Sequence, residues 1–268
     1  MLHSYRAVVI TGGSSGIGKS FLEHAAKLSP NLVFFNISRR VPDIKIEGLR
    51  LFHFPCDLAD PRKVARVGND VIAALDREAP SGRVMLVNNS GYGSYGPFAK
   101  ARVGRELSML DVNLRAPVQL TGILLPRLQA QGGAVINMAS TAAFQPTSYM
   151  AVYGASKVAL LHWSLALGEE LRGTGVRVLA VCPGPTATEF FRAAGLRHPI
   201  IPDALGQTPA EVVEAALRAL AAGRQLVVCG WKNKTAAALV SKLPKPLATR
   251  FAARAIAHYR GAEGWPQP

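Results

Sequence analysis

Acidic residues are scarce in this 268-residue chain, 17 Asp and Glu against 31 Lys and Arg, and the scarcity is local. No carboxylate side chain occurs between Glu214 and Glu263, a stretch that holds Arg218, Arg224, Lys232, Lys234, Lys242, Lys245, Arg250, Arg254 and Arg260. The net charge of +14 is therefore largely a carboxyl-terminal property. It is not a groove of charge spread over the fold, so no nucleic-acid partner is expected. Cysteine is also rare. Cys56, Cys182 and Cys229 are odd in number and far apart, which excludes a disulfide framework and the close pairs of a zinc site. Reduced thiols in a cytoplasmic protein with no metal are expected. No apolar run is long enough to span a bilayer, and Met1–Thr11 is too short in its apolar part for a signal peptide. Internal repeats and low-complexity linkers are missing as well, and the length suits one domain.

Short β-branched, apolar runs do recur: Ala7–Ile10, Leu32–Ile37, Leu49–Phe54, Val84–Val87, Ala134–Asn137, Val176–Val181 and Leu226–Val228. Strands that are apolar on both faces suit a parallel sheet covered on each side. Between them lie helical patterns over Gly16–Leu28, Pro61–Glu78, Val103–Gln129, Val152–Leu171 and Pro209–Ala221. Regular alternation predicts an α/β fold, a Rossmann-type doubly wound parallel sheet of about seven strands in a single domain. Residues 1–230 would carry the cofactor and catalytic site, and 231–268 would be a basic helical extension of the same domain. The segment Phe190–Gln207, with Pro199 and Pro202 and no periodicity, reads as a mobile loop over the site.

The first strand runs into Thr11-Gly12-Gly13-Ser14-Ser15-Gly16-Ile17-Gly18, and a helical pattern follows. Glycines let the backbone turn tightly and approach a pyrophosphate, whose charge the helix amino terminus stabilises. Gly12, Ser14, Ser15, Gly16, Ile17 and Gly18 are the candidate contacts. The same stretch satisfies a second motif, since Gly13 is followed by Gly18, Lys19 and Ser20 at phosphate-loop spacing, which would make the protein a nucleotide triphosphatase. That reading needs a second strand ending in a magnesium-binding Asp, for which Asp57 is the one candidate. The second strand ends in Ser38-Arg39-Arg40 with no acid before Asp43. Guanidiniums at that place accept the 2′-phosphate of NADP, whereas an acid would accept from the ribose of NAD. NADP is the expected cofactor, with Arg39 the principal reader and Ser38 and Arg40 assisting. Tyr153 and Lys157 stand four residues apart on a predicted helix and share one of its faces.

From the glycine turn to about Thr188 the chain resembles the short-chain dehydrogenase/reductase family in several separate segments that occur in the family's order. Asn88-Asn89-Ser90-Gly91 is similar to its Asn-Asn-Ala-Gly segment, with Ser90 in place of Ala. Asn113, Ser140, Tyr153 and Lys157 match its catalytic tetrad. Pro183-Gly184 with Thr186 and Thr188 looks like its nicotinamide-proximal segment, and Asp57-Leu58 resembles its adenine contact. The resemblance implies an oxidoreductase that interconverts a carbonyl and an alcohol. Tyr153 would be the acid/base, Lys157 would lower its pKa and bind the nicotinamide ribose, Ser140 would orient the substrate oxygen, and Asn113 would kink its helix and hold a water in a proton relay. Asn89, Ser90, Gly91, Pro183, Gly184, Thr186 and Thr188 join the cofactor contacts. A dinucleotide sensor on the same fold is the alternative, and it would be expected to have lost Tyr153 or Lys157.

Aromatic residues at Tyr92, Tyr95, Phe98, Phe144, Tyr149, Phe190 and Phe191 follow predicted strand ends and would suit an apolar ketone, aldehyde or 3-oxoacyl compound. In the tail, basic residues alternate with Leu239, Val240, Leu243, Leu247, Phe251, Ile256 and Tyr259 from Trp231 to Tyr259, broken at Pro244 and Pro246. Two short helices are expected, their apolar side packed on the domain or on a second subunit of a homodimer or homotetramer. Membrane contact would then be weak and salt-sensitive or missing.

Overall fold

The computed structural model describes residues 2–190, 194 and 206–257, the last three without their side chains. Much of the expected loop between Phe190 and Gln207, with Pro199, Pro202 and Phe191, lies outside the described residues, as do Tyr259 and the side chain of Ile256. Seven strands form one parallel sheet: β1 Tyr5–Thr11, β2 Val33–Ser38, β3 Arg50–Pro55, β4 Arg83–Asn88, β5 Gly133–Met138, β6 Val176–Cys182 and β7 Leu226–Val228. Their spatial order is β3-β2-β1-β4-β5-β6-β7. The chain builds outward from β1 in one direction, then returns to the other side of β1 at β4, which leaves a crevice beyond the carboxyl ends of β1 and β4.

Side-chain alternation along these strands supplies two cores. On one face Val8, Ile10, Phe34, Met85, Val87, Ile136 and Leu179 pack under α1 (Gly16–Leu28) and α6 (Pro209–Ala221). On the other, Ala7, Val9, Phe35, Leu86, Val135 and Val178 pack under α2 (Pro61–Glu78), α4 (Ala116–Gln131) and the end of α5 (Ala151–Glu170). Burial on both faces explains why the strands read as continuous apolar runs. Helix starts carry their own signals. Asp60 accepts from the amides of Arg62 and Lys63 ahead of Pro61, and Thr208 and Glu211 form a reciprocal capping box ahead of Pro209.

The long helix expected over Val103–Gln129 is interrupted. α3 (Val103–Leu110) passes through a π-helical turn, Asp111–Arg115, into α4. Asn113 sits at the centre of that turn and is fully buried. The tail forms two helices, α7 (Trp231–Lys242) and α8 (Lys245–Ala257), separated at Leu243-Pro244. Within one chain Ala237, Ala248 and Ala252 are buried and Val240 and Leu243 half-buried, while Trp231, Leu239, Leu247 and Phe251 are exposed. Among the described residues, no helix is long and apolar enough to cross a membrane.

Candidate active site

The crevice at the β1/β4 divide is a cavity of about 860 Å³. Of the residues singled out from the sequence for catalysis or cofactor binding, all but Gly18 and Asn113 line it, and those two stand directly behind its wall. Gly12 has φ +73°, and a Cβ there would lie 2.6 Å from Ser90 Oγ. A Cβ on Gly18 would come 2.3 Å from the Gly12 carbonyl, so the first turn of α1 can sit this close to the strand end only with glycine at both places. Ser15, at the N-cap of α1, makes no side-chain cap bond. The helix amino terminus therefore faces the cleft with amides its own side chain does not satisfy, the arrangement that receives a phosphate.

Two hydrogen-bonded locks hold this wall. Thr11 Oγ1 accepts from the amides of Asn89 (3.0 Å) and Ser90 (2.9 Å), while Asn89 Nδ2 donates to the carbonyls of Thr11 (3.0 Å) and Gly12 (3.2 Å). The second lock was not foreseen. Asn36, fully buried in β2, accepts from the Gly13 amide at 2.8 Å and donates to Ser38 Oγ at 2.8 Å and to His53 Nδ1 at 2.9 Å. Because Gly13 fixes which end of the carboxamide is the oxygen, His53 must accept at Nδ1 and carry its proton on Nε2. A lone amide in the apolar run Val33-Phe34-Phe35-Asn36-Ile37 was the signal that could have disclosed it.

Ser38, Arg39 and Arg40 form the far rim, opposite the start of α1, and Arg40 reaches Ser15 Oγ at 3.5 Å. Asp57 and Leu58 lie beside them; the Asp57 carboxylate accepts from the Ala59 amide at 3.2 Å. Lys19 is elsewhere. It points along the surface of α1 toward Glu23, 3.9 Å away, and takes no part in the lining, so the phosphate-loop reading fails on its own lysine.

At the catalytic end, Lys157 Nζ donates to the Met138 carbonyl at 2.7 Å and lies 5.8 Å from the centre of the Tyr153 ring. Ser140 holds a short helical turn by accepting from the Ala142 amide. Burial pushes the Tyr153 phenol up to about 12, and the nearby Ser140 hydroxyl opposes that rise. Burial likewise brings the Lys157 ammonium down to about 8. The net shift of Tyr153 is upward, opposite in direction to the expected one, and burial is its largest cause. At neutral pH the phenol is a proton donor, and the lysine holds a comparatively labile proton.

Asn113 serves as a brace. Its Oδ1 accepts from the Tyr92 amide (3.1 Å), and its Nδ2 donates to the Tyr92 carbonyl (3.0 Å) and to Ser156 Oγ (3.1 Å). Ser156, also not foreseen, passes the bond to the Tyr153 carbonyl at 2.6 Å. Pro183–Thr188 crosses above the glycine turn, where a Cβ on Gly16 would meet Thr188 Cγ2 at 3.2 Å. Gln207 clamps that segment. Its side chain accepts from the Gly184 amide and from Asn233 Nδ2, each at 3.2 Å, and its backbone pairs with Pro185 and Ala187.

The expected aromatic pocket is divided. Tyr92 and Phe190 line the main cleft, and the Phe190 ring is 5.2 Å from that of Tyr153. Tyr95, Phe98 and Tyr149 line a neighbouring cavity of about 750 Å³, which shares Arg105 with the cleft. Phe144 lines neither, because it packs beside Ala139, Ala143 and Leu161.

Residues 6–197 match the model of the short chain dehydrogenase family. A ketoacyl reductase of Nostoc sp., HetN, is 27% identical over 257 residues, covering 89% of this chain and 79% of that protein. A short chain dehydrogenase from Burkholderia cenocepacia, solved in complex with NADP, superposes with a TM-score of 0.71 at 26% identity, over 90% of this chain and 95% of that one. Another from Burkholderia phymatum, in complex with NAD, has a TM-score of 0.76 at 21% identity, over 89% and 94% of the two chains.

The Asn36 lock predicts a pH dependence. Burial holds the His53 imidazole below its ordinary value of 6.5, with Asn36 partly opposing. As pH falls through that value the unfolded chain takes up the proton first, so stability present above it is lost below. Urea unfolding at about pH 8 and about pH 5.5 should show this loss in the wild type and a flatter response in His53→Gln. Asn36→Leu should cost about 1–3 kcal/mol at both, by leaving the Gly13 amide unpaired.

Proposed function

The chain belongs to the short-chain dehydrogenase family of oxidoreductases, and from that premise we propose that it is an NADP(H)-dependent reductase that converts an apolar ketone, aldehyde or 3-oxoacyl compound to the alcohol. The observation that carries this reading is that the buried Tyr153 and Lys157, one helical turn apart, line the wall of the cleft together with Ser140. The residues present fit a nicotinamide dinucleotide: a glycine cradle, an uncapped helix start, an acid at Asp57 and guanidiniums at Arg39 and Arg40. Its reduced ring, when bound, would supply hydride to the carbonyl carbon.

The chain's own groups supply the rest. Ser140 donates to the carbonyl oxygen and holds it against Tyr153, stabilising the negative charge that develops there. Tyr153 gives its proton to that oxygen, and the C=O bond becomes C–O–H as the phenol becomes phenolate. Lys157 then stabilises the phenolate and helps return its proton, aided by Asn113, whose carboxamide and the lysine ammonium both adjoin Gly91. Selection for NADP rests on the rim: Arg39, with Ser38 and Arg40 beside it, forms charge-assisted bonds to a 2′-phosphate, and no acid follows β2 before Asp43 to prefer the ribose hydroxyl. Tyr92 and Phe190 favour an apolar substrate body.

A homo-oligomer forms part of this proposal. Val103 and Leu107, one turn apart on α3, and Val118 on α4 are 56%, 56% and 40% exposed, apolar side chains that the described fold leaves uncovered. Sedimentation velocity should find a dimer or tetramer that dissociates in Leu107→Asp, and a monomeric wild type would contradict it.

Tyr153→Phe should abolish NADPH oxidation against a panel of ketones, aldehydes and 3-oxoacyl thioesters while binding NADPH nearly as the wild type does. Reduction should be fastest below about 8 and decline above it as Lys157 loses its proton. Ordinary turnover by the phenylalanine variant would refute the mechanism. Arg39→Asp replaces attraction by repulsion and should move the cofactor preference several kcal/mol toward NADH. Equal affinity of the wild type for NADH and NADPH, measured by titration, would remove the basis for the assignment.

A further inference from the structure

Among the described residues, helices α7 and α8 contribute no side chain to the lining of the cleft, and their outer surface has a composition that neither folding nor catalysis explains. Trp231 is 73% exposed, Leu239 68%, Leu247 41% and Phe251 53%. On α8, the exposed Arg250 and Arg254 are one turn apart on the side of the helix opposite Ala248 and Ala252, and the exposed Leu247 and Phe251, also one turn apart, lie between the arginines and the alanines. On α7, exposed Lys232, Lys234 and Lys242 accompany Trp231 and Leu239, with Lys232 Nζ 5.8 Å from the Trp231 ring. The sequence offers no carboxylate side chain between Glu214 and Glu263 to neutralise any of them.

A solvated face has no need of an exposed tryptophan and phenylalanine. A second copy docked about a two-fold axis would set this surface against itself, cation facing cation, without an acid to pair. A phosphate-bearing polymer would satisfy the charges and leave the apolar side chains in water. We propose that the outer face of α7 and α8 docks on an anionic lipid bilayer, with Trp231, Leu239, Leu247 and Phe251 entering the headgroup region and the lysines and arginines meeting lipid phosphates. The helices are fastened to the walls of the cleft. Lys245 Nζ donates to the Phe144 carbonyl at 3.4 Å, at the end of the turn that Ser140 begins, and Asn233 bonds the Gln207 clamp on Gly184. Docking would thus present the cleft to carbonyl compounds dissolved in the membrane, a consequence that rests on the reductase reading, whereas the docking itself does not.

The test is co-sedimentation of the full chain, without cofactor or substrate, with vesicles of mixed phosphatidylcholine and phosphatidylglycerol and with vesicles of phosphatidylcholine alone. Pelleting with the mixed vesicles at low salt, its steep decline as salt is raised, and little pelleting with phosphatidylcholine are expected. The double variant Arg250→Glu/Arg254→Glu should lower partitioning by at least about 30-fold, and Leu247→Ser/Phe251→Ser by about tenfold or more. All four side chains are at the surface, so unchanged thermal unfolding will verify that the variants fold. Failure of the wild type to pellet with mixed vesicles, or equal pelleting of the wild type and both variants, overturns the proposal. So do a change of oligomeric state in these variants by sedimentation velocity, which gives the face to a second copy, and tighter retention by duplex DNA than by mixed vesicles.

Discussion

Everything at the site depends on how the ends of β1 and β4 are tied. These are neighbouring strands in space, but β2, β3 and two helices intervene between them in the chain. The divide is where the sheet must open, and the four hydrogen bonds exchanged by Thr11, Gly12, Asn89 and Ser90 keep it from opening further. They leave Gly12 pressed against Ser90, which in turn demands glycine and brings α1 close enough for its amino terminus to face the cleft. Further along the crevice, Asn88 Nδ2 donates to Asn137 Oδ1, and Asn137 Nδ2 to Ser164 Oγ, so the ends of β4 and β5 are joined to α5, the helix that carries Tyr153 and Lys157. Dinucleotide cradle and proton-transfer pair are therefore parts of one hydrogen-bonded frame.

Most of this frame was legible because its signals are local. Seven apolar runs coincide with seven strands, and the Tyr153–Lys157 spacing survives as a shared helix face. Legibility failed where the physics is nonlocal. The pKa of Tyr153 depends on how deeply α5 sinks beside β5 and β6, which no spacing encodes, and there burial is the largest influence. Asn36 and Ser156 act by joining elements remote in sequence, so neither stands in a motif. Of the aromatic residues after strand ends, Tyr92 and Phe190 line the cleft, and Tyr95, Phe98 and Tyr149 line its neighbour. Which cavity each enters is set by loop geometry; Tyr149, at φ +65°, is turned by a backbone conformation that its residue type does not announce.

The tail shows the opposite limit. Its helix break at Leu243-Pro244 and its charge were plain in the sequence, yet the direction of its apolar side chains was not. Amphipathic periodicity identifies a face without saying whether protein covers it. Here alanines are the buried residues, Val240 and Leu243 are half-buried, and Trp231, Leu239, Leu247 and Phe251 are exposed.

The π turn at Asp111–Arg115 also bears on how this chain can change length. A π turn encloses one residue more than a regular helical turn, so losing a single residue within it would restore the ordinary helix and leave α4 facing as it does. Anywhere else in α3 or the start of α4 a one-residue deletion rotates the remainder of the helix by about 100° and swings Leu120, Leu124 and Leu128 out of the core. The place where the fold best tolerates shortening is thus the place where Asn113 would be lost from its bonds to Tyr92 and Ser156. At this one position lineages could drift apart in helix length without unfolding, and the reaction, not stability, would be what keeps the extra residue.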